Sequence, residues 1–189
     1  MAGIRTILGD VTAEEFGICD FHDHLIRSYG PEIRENAWYL MNDVEAASVE
    51  LQDWIDAGGR SMVCMDPIGC GRDVQKMLKI AEKFAGKAHL VMVTGFHKGS
   101  LYDNYGHWSF LYPHNQVVDL IAKEVTEGMD LFSYMGPSVQ RCSAKAGLIK
   151  AGTSLRQITP FEQNILSIAA DAQKECGAPI STHTDMGTM

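Results

Sequence analysis

The sequence predicts a parallel α/β fold of repeating strand–helix units, closed as a (β/α)8 barrel rather than laid out as an open, doubly wound sheet. Three observations predict it. Short apolar runs alternate with helical patterns along the chain. No G-x-G-x-x-G fingerprint follows the first run, and the stretch Gly69-Cys70-Gly71-Arg72 lacks that spacing. Polar residues of metal-binding type close several of the runs, which is the end where barrel enzymes keep their chemistry.

Five strands are predicted, over residues 17–22, 61–65, 90–94, 148–151 and 180–184. Their near-continuous apolar character implies burial on both faces, the mark of a parallel sheet covered by helices. Helices are predicted over 44–57, 73–84, 116–126 and 160–174. Asn42 is placed to cap the first, with Glu45 three residues on. Thr159 caps the last, with Pro160 at the first helical position and Glu162 completing a capping box. Gly58, Gly86 and Gly177 stand where helices would stop in a left-handed turn. A full barrel takes roughly 250 residues and eight strands. At 189 residues the chain therefore reads as a single domain, 1–189, holding about the first five βα units of a truncated barrel.

Bulk properties narrow the function. The net charge of −8 argues against affinity for nucleic acid or an anionic membrane. No apolar run approaches the ~18 residues that span a bilayer, and the first residues carry no apolar signal core. The five cysteines lack C-x-x-C spacing and read as reduced thiols, which predicts a cytoplasmic protein.

Three features carry chemistry. In Phe21-His22-Asp23-His24-Leu25, residues two apart in an extended segment point the same way, so two imidazoles can share one metal ion. Chance alone produces such a pair often. Lys150 closes the apolar run Leu148-Ile149. Burial there would lower its pKa, and a neutral amine can add carbon dioxide to give an anionic carbamate that bridges two cations. Taken singly, a lysine at a strand end is more commonly a solvated or paired charge. His183, in Pro179-Ile180-Ser181-Thr182-His183-Thr184, ends another predicted strand, and alone it would be read as a hydrogen-bonded core or cap residue. Together the three differ from chance, because a barrel gathers these strand ends around one mouth.

With these residues in place, the sequence resembles the phosphotriesterase family of the amidohydrolase superfamily, which includes phosphotriesterase-related proteins and lactonases. The resemblance rests on Thr6-Ile7-Leu8-Gly9-Asp10, Phe21-His22-Asp23-His24-Leu25, Met65-Asp66-Pro67 with Gly71-Arg72-Asp73, Val93-Thr94-Gly95-Phe96, Ala146-Gly147-Leu148-Ile149-Lys150, Thr159-Pro160-Phe161-Glu162 and the segment from Gly177 to Thr184. It implies an amidohydrolase-type barrel and a binuclear metal centre. His22 and His24 would bind the more buried metal, carboxylated Lys150 would bridge both, and His183 would bind the more exposed one. Zinc is the default metal, with manganese, cobalt or iron as options. A hydroxide shared by the metals attacks an ester carbonyl or a phosphorus centre in this family. The family takes a further histidine from the sixth strand and an aspartate from the eighth. The chain ends at Met189, and neither residue can be assigned here; His89, His97, His107 and His114 all precede Lys150.

The substrate is less legible. His97 occupies a position resembling one where lactonase-like relatives carry an aromatic residue facing the metals, and Lys98 could hold a phosphate or carboxylate. A loop histidine and a solvated lysine are the plain alternative. Tyr102, Tyr105, Trp108, Phe110 and Tyr112 form an aromatic stretch that reads as a substrate lid, a subunit contact or a packed loop. Asp66 and Arg72 read as turn and helix-start residues. The expected function is a metal-dependent hydrolase, a lactonase for a small ester such as a phosphorylated sugar lactone, with a homodimer left open. The rival expectations are a catalytically inactive fragment lacking the later metal ligands, and a different α/β protein with structural histidines.

Overall fold

The structure, a computed structural model, describes residues 3–103 and 106–185. Tyr105 and the residues after Asp185 lie outside the described residues. The chain opens with an antiparallel hairpin, β1 (Ile4–Thr6) and β2 (Gly9–Val11), and a short helix α1 (Ala13–Phe16). Strand β3 (Cys19–Asp23) follows, then α2 (Pro31–Glu35) and α3 (Val44–Asp56). Next come β4 (Ser61–Cys64), α4 (Val74–Lys83), β5 (His89–Gly95), α5 (Ser100–Asp103) and α6 (His114–Thr126). The remaining elements are β6 (Leu148–Thr153), α7 (Pro160–Cys176) and β7 (Ile180–Thr184).

All five predicted strands form, and they lie side by side in chain order, β3-β4-β5-β6-β7, every pair parallel. Sequential parallel neighbours joined by helical crossovers are the arrangement of one half of a (β/α)8 barrel. The sheet curls. In a flat sheet, strands spaced about 4.8 Å apart would leave β3 and β7 roughly 19 Å from each other. The Lys150 side chain on β6 instead reaches over β5 to the Met65 carbonyl just past β4, at 2.8 Å, across the hollow of the sheet.

Alternation along the strands builds two cores. One set of side chains, including Met62, Cys64, Leu90, Met92, Ile149 and Ala151, packs outward against buried faces of α3, α4, α6 and α7. The other set, Val63, Met65, Val91, Val93 and Leu148, forms a separate cluster on the concave side, with Phe16 and Cys19 against it. Lys150 shares its face with Leu148, two residues earlier on β6, and so points into the concavity.

Helix boundaries follow local chemistry. The Thr159 hydroxyl accepts from the Glu162 N–H, and the Glu162 carboxylate accepts from the Thr159 N–H, the predicted capping box. Glu162 is fully buried and does more: its Oε1 accepts from the Gly99 N–H at 2.8 Å and the Ser154 hydroxyl at 2.5 Å, tying together the segments after β5 and β6. At the first long helix the cap is Asp43, not Asn42. The Asp43 carboxylate accepts from the N–H groups of Glu45 and Ala46, and an ionised carboxylate suits the positive end of a helix better than an amide. Among the described residues, no helix is long and apolar enough to cross a membrane.

Arg72 stands at a helix start as expected, directly before the Asp73 cap of α4, but it does more: it is a fully buried guanidinium in a two-pronged pair with Glu124 of α6, at 2.6 and 2.9 Å. Its remaining N–H groups donate to Ser133 Oγ and the Val93 carbonyl. Removing one partner of such a pair leaves an uncompensated buried charge. Glu124→Ala should therefore cost about 3–5 kcal/mol in urea unfolding, while the double change Arg72→Met with Glu124→Leu should recover most of that loss.

Candidate metal centre

The concave mouth of the sheet collects the residues singled out in the sequence. Strand β3 reaches it through a bulge. Asp20 pairs with Met62, and Asp23, three residues on, pairs with Cys64, two residues on. The extra residue switches the facing of the strand, so that His22 and His24 lie on the concave side with Cys19. Their rings meet edge to face with centroids 5.4 Å apart, as the H-x-H spacing predicts.

Lys150 is 2% exposed and donates from Nζ to the Met65 carbonyl at 2.8 Å. Burial lowers its pKa, and the carboxylate of Asp66 is the largest charge acting the other way. His183 stands on β7 with Nε2 buried and without a hydrogen-bond partner; the nearest carboxylate oxygen, on Asp185, is 3.8 Å away. His97 is almost fully buried, its ring 4.4 Å from that of His183. Its Nδ1 accepts from the Lys98 N–H, which leaves the ring proton of the neutral imidazole on Nε2. Lys98 itself is paired with Asp185 at 2.9 Å, so its charge is shared rather than solvated. Gly152 makes this packing feasible, because a Cβ there would lie 2.5 Å from the Lys98 nitrogen.

The electrostatics have one direction. Burial, and then the positive charge of Lys150, push the pKa values of His22, His97 and His183 below the ordinary histidine range, His97 down to about 2. Neutral imidazoles carry a free nitrogen lone pair, which is what a divalent cation needs. Two acceptor atoms are also buried and unpartnered, His183 Nε2 and Asp66 Oδ2. The donor set thus fits divalent cations. Among the described residues no three His, Cys, Asp or Glu side chains gather closely enough to enclose one ion by themselves. The set named from the sequence includes a lysine, and it divides its histidines between two positions.

Asp66 and Arg27 belong to the site and were not legible as such. Asp66 is no turn residue. Its Oδ1 accepts from Arg27 Nε at 2.8 Å and lies 3.0 Å from His24 Nδ1. Arg27 also approaches that same Nδ1, at 2.8 Å from Nη2, and Glu32 at 3.4 Å. The partners are 39 and 42 residues apart in sequence, so no local motif announces them. Within the aromatic stretch Tyr102 is buried, its hydroxyl donating to the Ile68 carbonyl and accepting from the His97 N–H, and Phe110 stacks on Phe161, while Tyr112 is half exposed.

A histidine with a depressed pKa binds fewer protons folded than unfolded. Its contribution to stability is complete above about pH 6.5 and is lost as pH falls toward the folded value. Nearly fully buried His97 should cost the chain up to about 1.4 kcal/mol of stability per pH unit below 6.5. For His97 that loss continues toward pH 2, and in His97→Asn the slope of unfolding free energy against pH should flatten by one proton's worth.

The sequence model of the phosphotriesterase family matches residues 2–189. A phospho-furanose lactonase of Mycoplasmopsis agalactiae is 51% identical over 98% of this chain and 53% of its own length. Another protein of that name, from Mycoplasmopsis synoviae, is 44% identical. Among solved structures, an amidohydrolase from Mycoplasma synoviae superposes with a TM-score of 0.95 at 44% identity, over 99% of this chain and 53% of that one. A lactonase from Listeria monocytogenes superposes with a TM-score of 0.86 at 27% identity, over 100% of this chain and 58% of that one. The chain spans about half the length of the curated relatives it matches. With a family model matching nearly every residue and the same five-stranded parallel half-barrel, the chain belongs to the phosphotriesterase family.

Proposed function

We propose that the whole protein is a metal-dependent hydrolase that opens a small lactone, with a phosphorylated sugar lactone as first candidate. Family membership and the names of the two phospho-furanose lactonases support the substrate class. The observation that carries the reading is Lys150: a lysine buried at 2% exposure, on the concave face, with neutral imidazoles on either side.

Each residue then has a role. The Lys150 amine, in its neutral form, attacks carbon dioxide; an N–C bond forms as one C=O π bond opens, a proton leaves to solvent, and the resulting carbamate shares one negative charge over two oxygens. His22 and His24 would hold one cation, His183 the other, and the carbamate both, with zinc the default and manganese, cobalt or iron as options. When bound there, two such cations would supply an activated water and polarisation of the lactone carbonyl. His97 offers its Nε2–H to the substrate, since its Nδ1 is already engaged. Lys98 adds positive charge for a phosphate or carboxylate, moderated by Asp185. The partner is a small ester rather than nucleic acid or a membrane, in keeping with the net charge of −8. Five free cysteines suit a reducing cytoplasm.

The test uses the full-length polypeptide. It should carry close to two divalent ions per chain and hydrolyse a phosphorylated furanose lactone. Lys150→Ala should lower turnover by more than about 100-fold, since even outer partners of metal ligands are worth 10–100-fold. A short carboxylic acid such as propionate should restore part of it. Unchanged turnover in Lys150→Ala would overturn the bridging role.

A further inference from the structure

His24 Nδ1 has two neighbours that cannot both be its hydrogen-bond partner. Asp66 Oδ1, 3.0 Å away, can only accept a proton from it. Arg27 Nη2, 2.8 Å away, can only donate one to it. A neutral imidazole has a single N–H, so the choice between Asp66 and Arg27 is a choice of tautomer. If Nδ1 accepts from Arg27, the proton sits on Nε2 and that nitrogen has no lone pair to give. If Nδ1 donates to Asp66, Nε2 is free. Since Nδ1 is flanked by both groups, Nε2 is the nitrogen left to ligate.

Resting on the metal-binding reading of His24, we propose that Asp66 is its positioning residue: the carboxylate takes the Nδ1–H, frees Nε2 for the cation, and is itself held in place by Arg27. Arg27 is the counterweight that stabilises the other tautomer when no cation is bound. Three observations support the assignment. Asp66 is 4% exposed at the end of β4, where its carboxylate cannot be satisfied by bulk water. Its Oδ2 is buried without a hydrogen-bond partner, whereas a carboxylate retained only to pair with Arg27 would use both oxygens in the two-pronged fashion of Glu124 with Arg72. Arg27 is clamped from elsewhere, by backbone hydrogen bonds in both directions with Met41 and by Glu32, so it does not depend on Asp66 for its place. A carboxylate behind a ligating imidazole fixes ring orientation and raises ligand basicity.

The experiment uses the full-length polypeptide, with zinc alone as probe and two readouts other than activity. In long-range nitrogen–proton NMR spectra, His24 of the zinc-loaded chain should carry its proton on Nδ1, and zinc removal should shift it toward Nε2–H. In a competition titration against a chromophoric chelator, Asp66→Asn should bind zinc about 10- to 100-fold more weakly, with unchanged circular dichroism. Asp66→Glu should recover part of the affinity. His24 ligating through Nδ1, or Asp66→Asn binding zinc as tightly as the wild type, overturns the role of Asp66 alone. If zinc moves no histidine signal in the wild type, the metal-centre reading falls and takes this inference with it. Should Asp66→Asn fail to fold, the wild-type tautomer decides.

Discussion

Between Asp20 and Asp23 the first strand of the sheet carries one residue more than its neighbour, and the facing of His22 and His24 depends on that residue. A strand has a period of two, so a regular pairing would align His22 with Cys64 and turn it toward the helices. The bulge moves Asp23 opposite Cys64 instead and sends both imidazoles to the concave side. Sheet curvature then does the rest. It carries His183, on the far strand, back toward His22, with Lys150 rising between them from β6. Bulge and curl are both needed, and neither is a property of the candidate ligand residues themselves.

Gathering four groups that can each become cationic around one mouth is costly unless most remain neutral. The sheet meets this cost by burial. Burial disfavours the charged forms of His22, His183 and Lys150, and the charge of Lys150 disfavours those of the two histidines. Imidazole lone pairs are thereby favoured over imidazolium charge at His22 and His183, and Asp66 is the carboxylate whose charge acts most strongly on Lys150.

The sheet and long helices were legible because their signals are local. Apolar runs such as Leu90–Thr94, capping residues such as Thr159 and Glu162, and stop glycines such as Gly177, at φ 75°, lie within a few residues of what they specify. Local signals also explain the errors. Asn42 and Asp43 both fit a cap, and only the geometry of the turn chooses. The β1–β2 hairpin escaped notice because strands of three residues have too little alternation to register. The candidate ligands were visible as residue types, though their convergence rested on the fold class and the resemblance. Asp66, Arg27, Arg72 and Glu124 were opaque as partners. Their pairings span roughly 40 to 50 positions, and a buried ion pair has no spacing rule to betray it.

Glu162 makes one last connection. It closes its own helix and, with the same carboxylate, holds the Gly99 backbone and the Ser154 hydroxyl. Two loops that rim the mouth are therefore moored to a single post at the start of α7. Independent breathing of either loop would require giving up a buried charge-assisted bond. Entry to and exit from the mouth on that side would be paced by the fraying of a helix end.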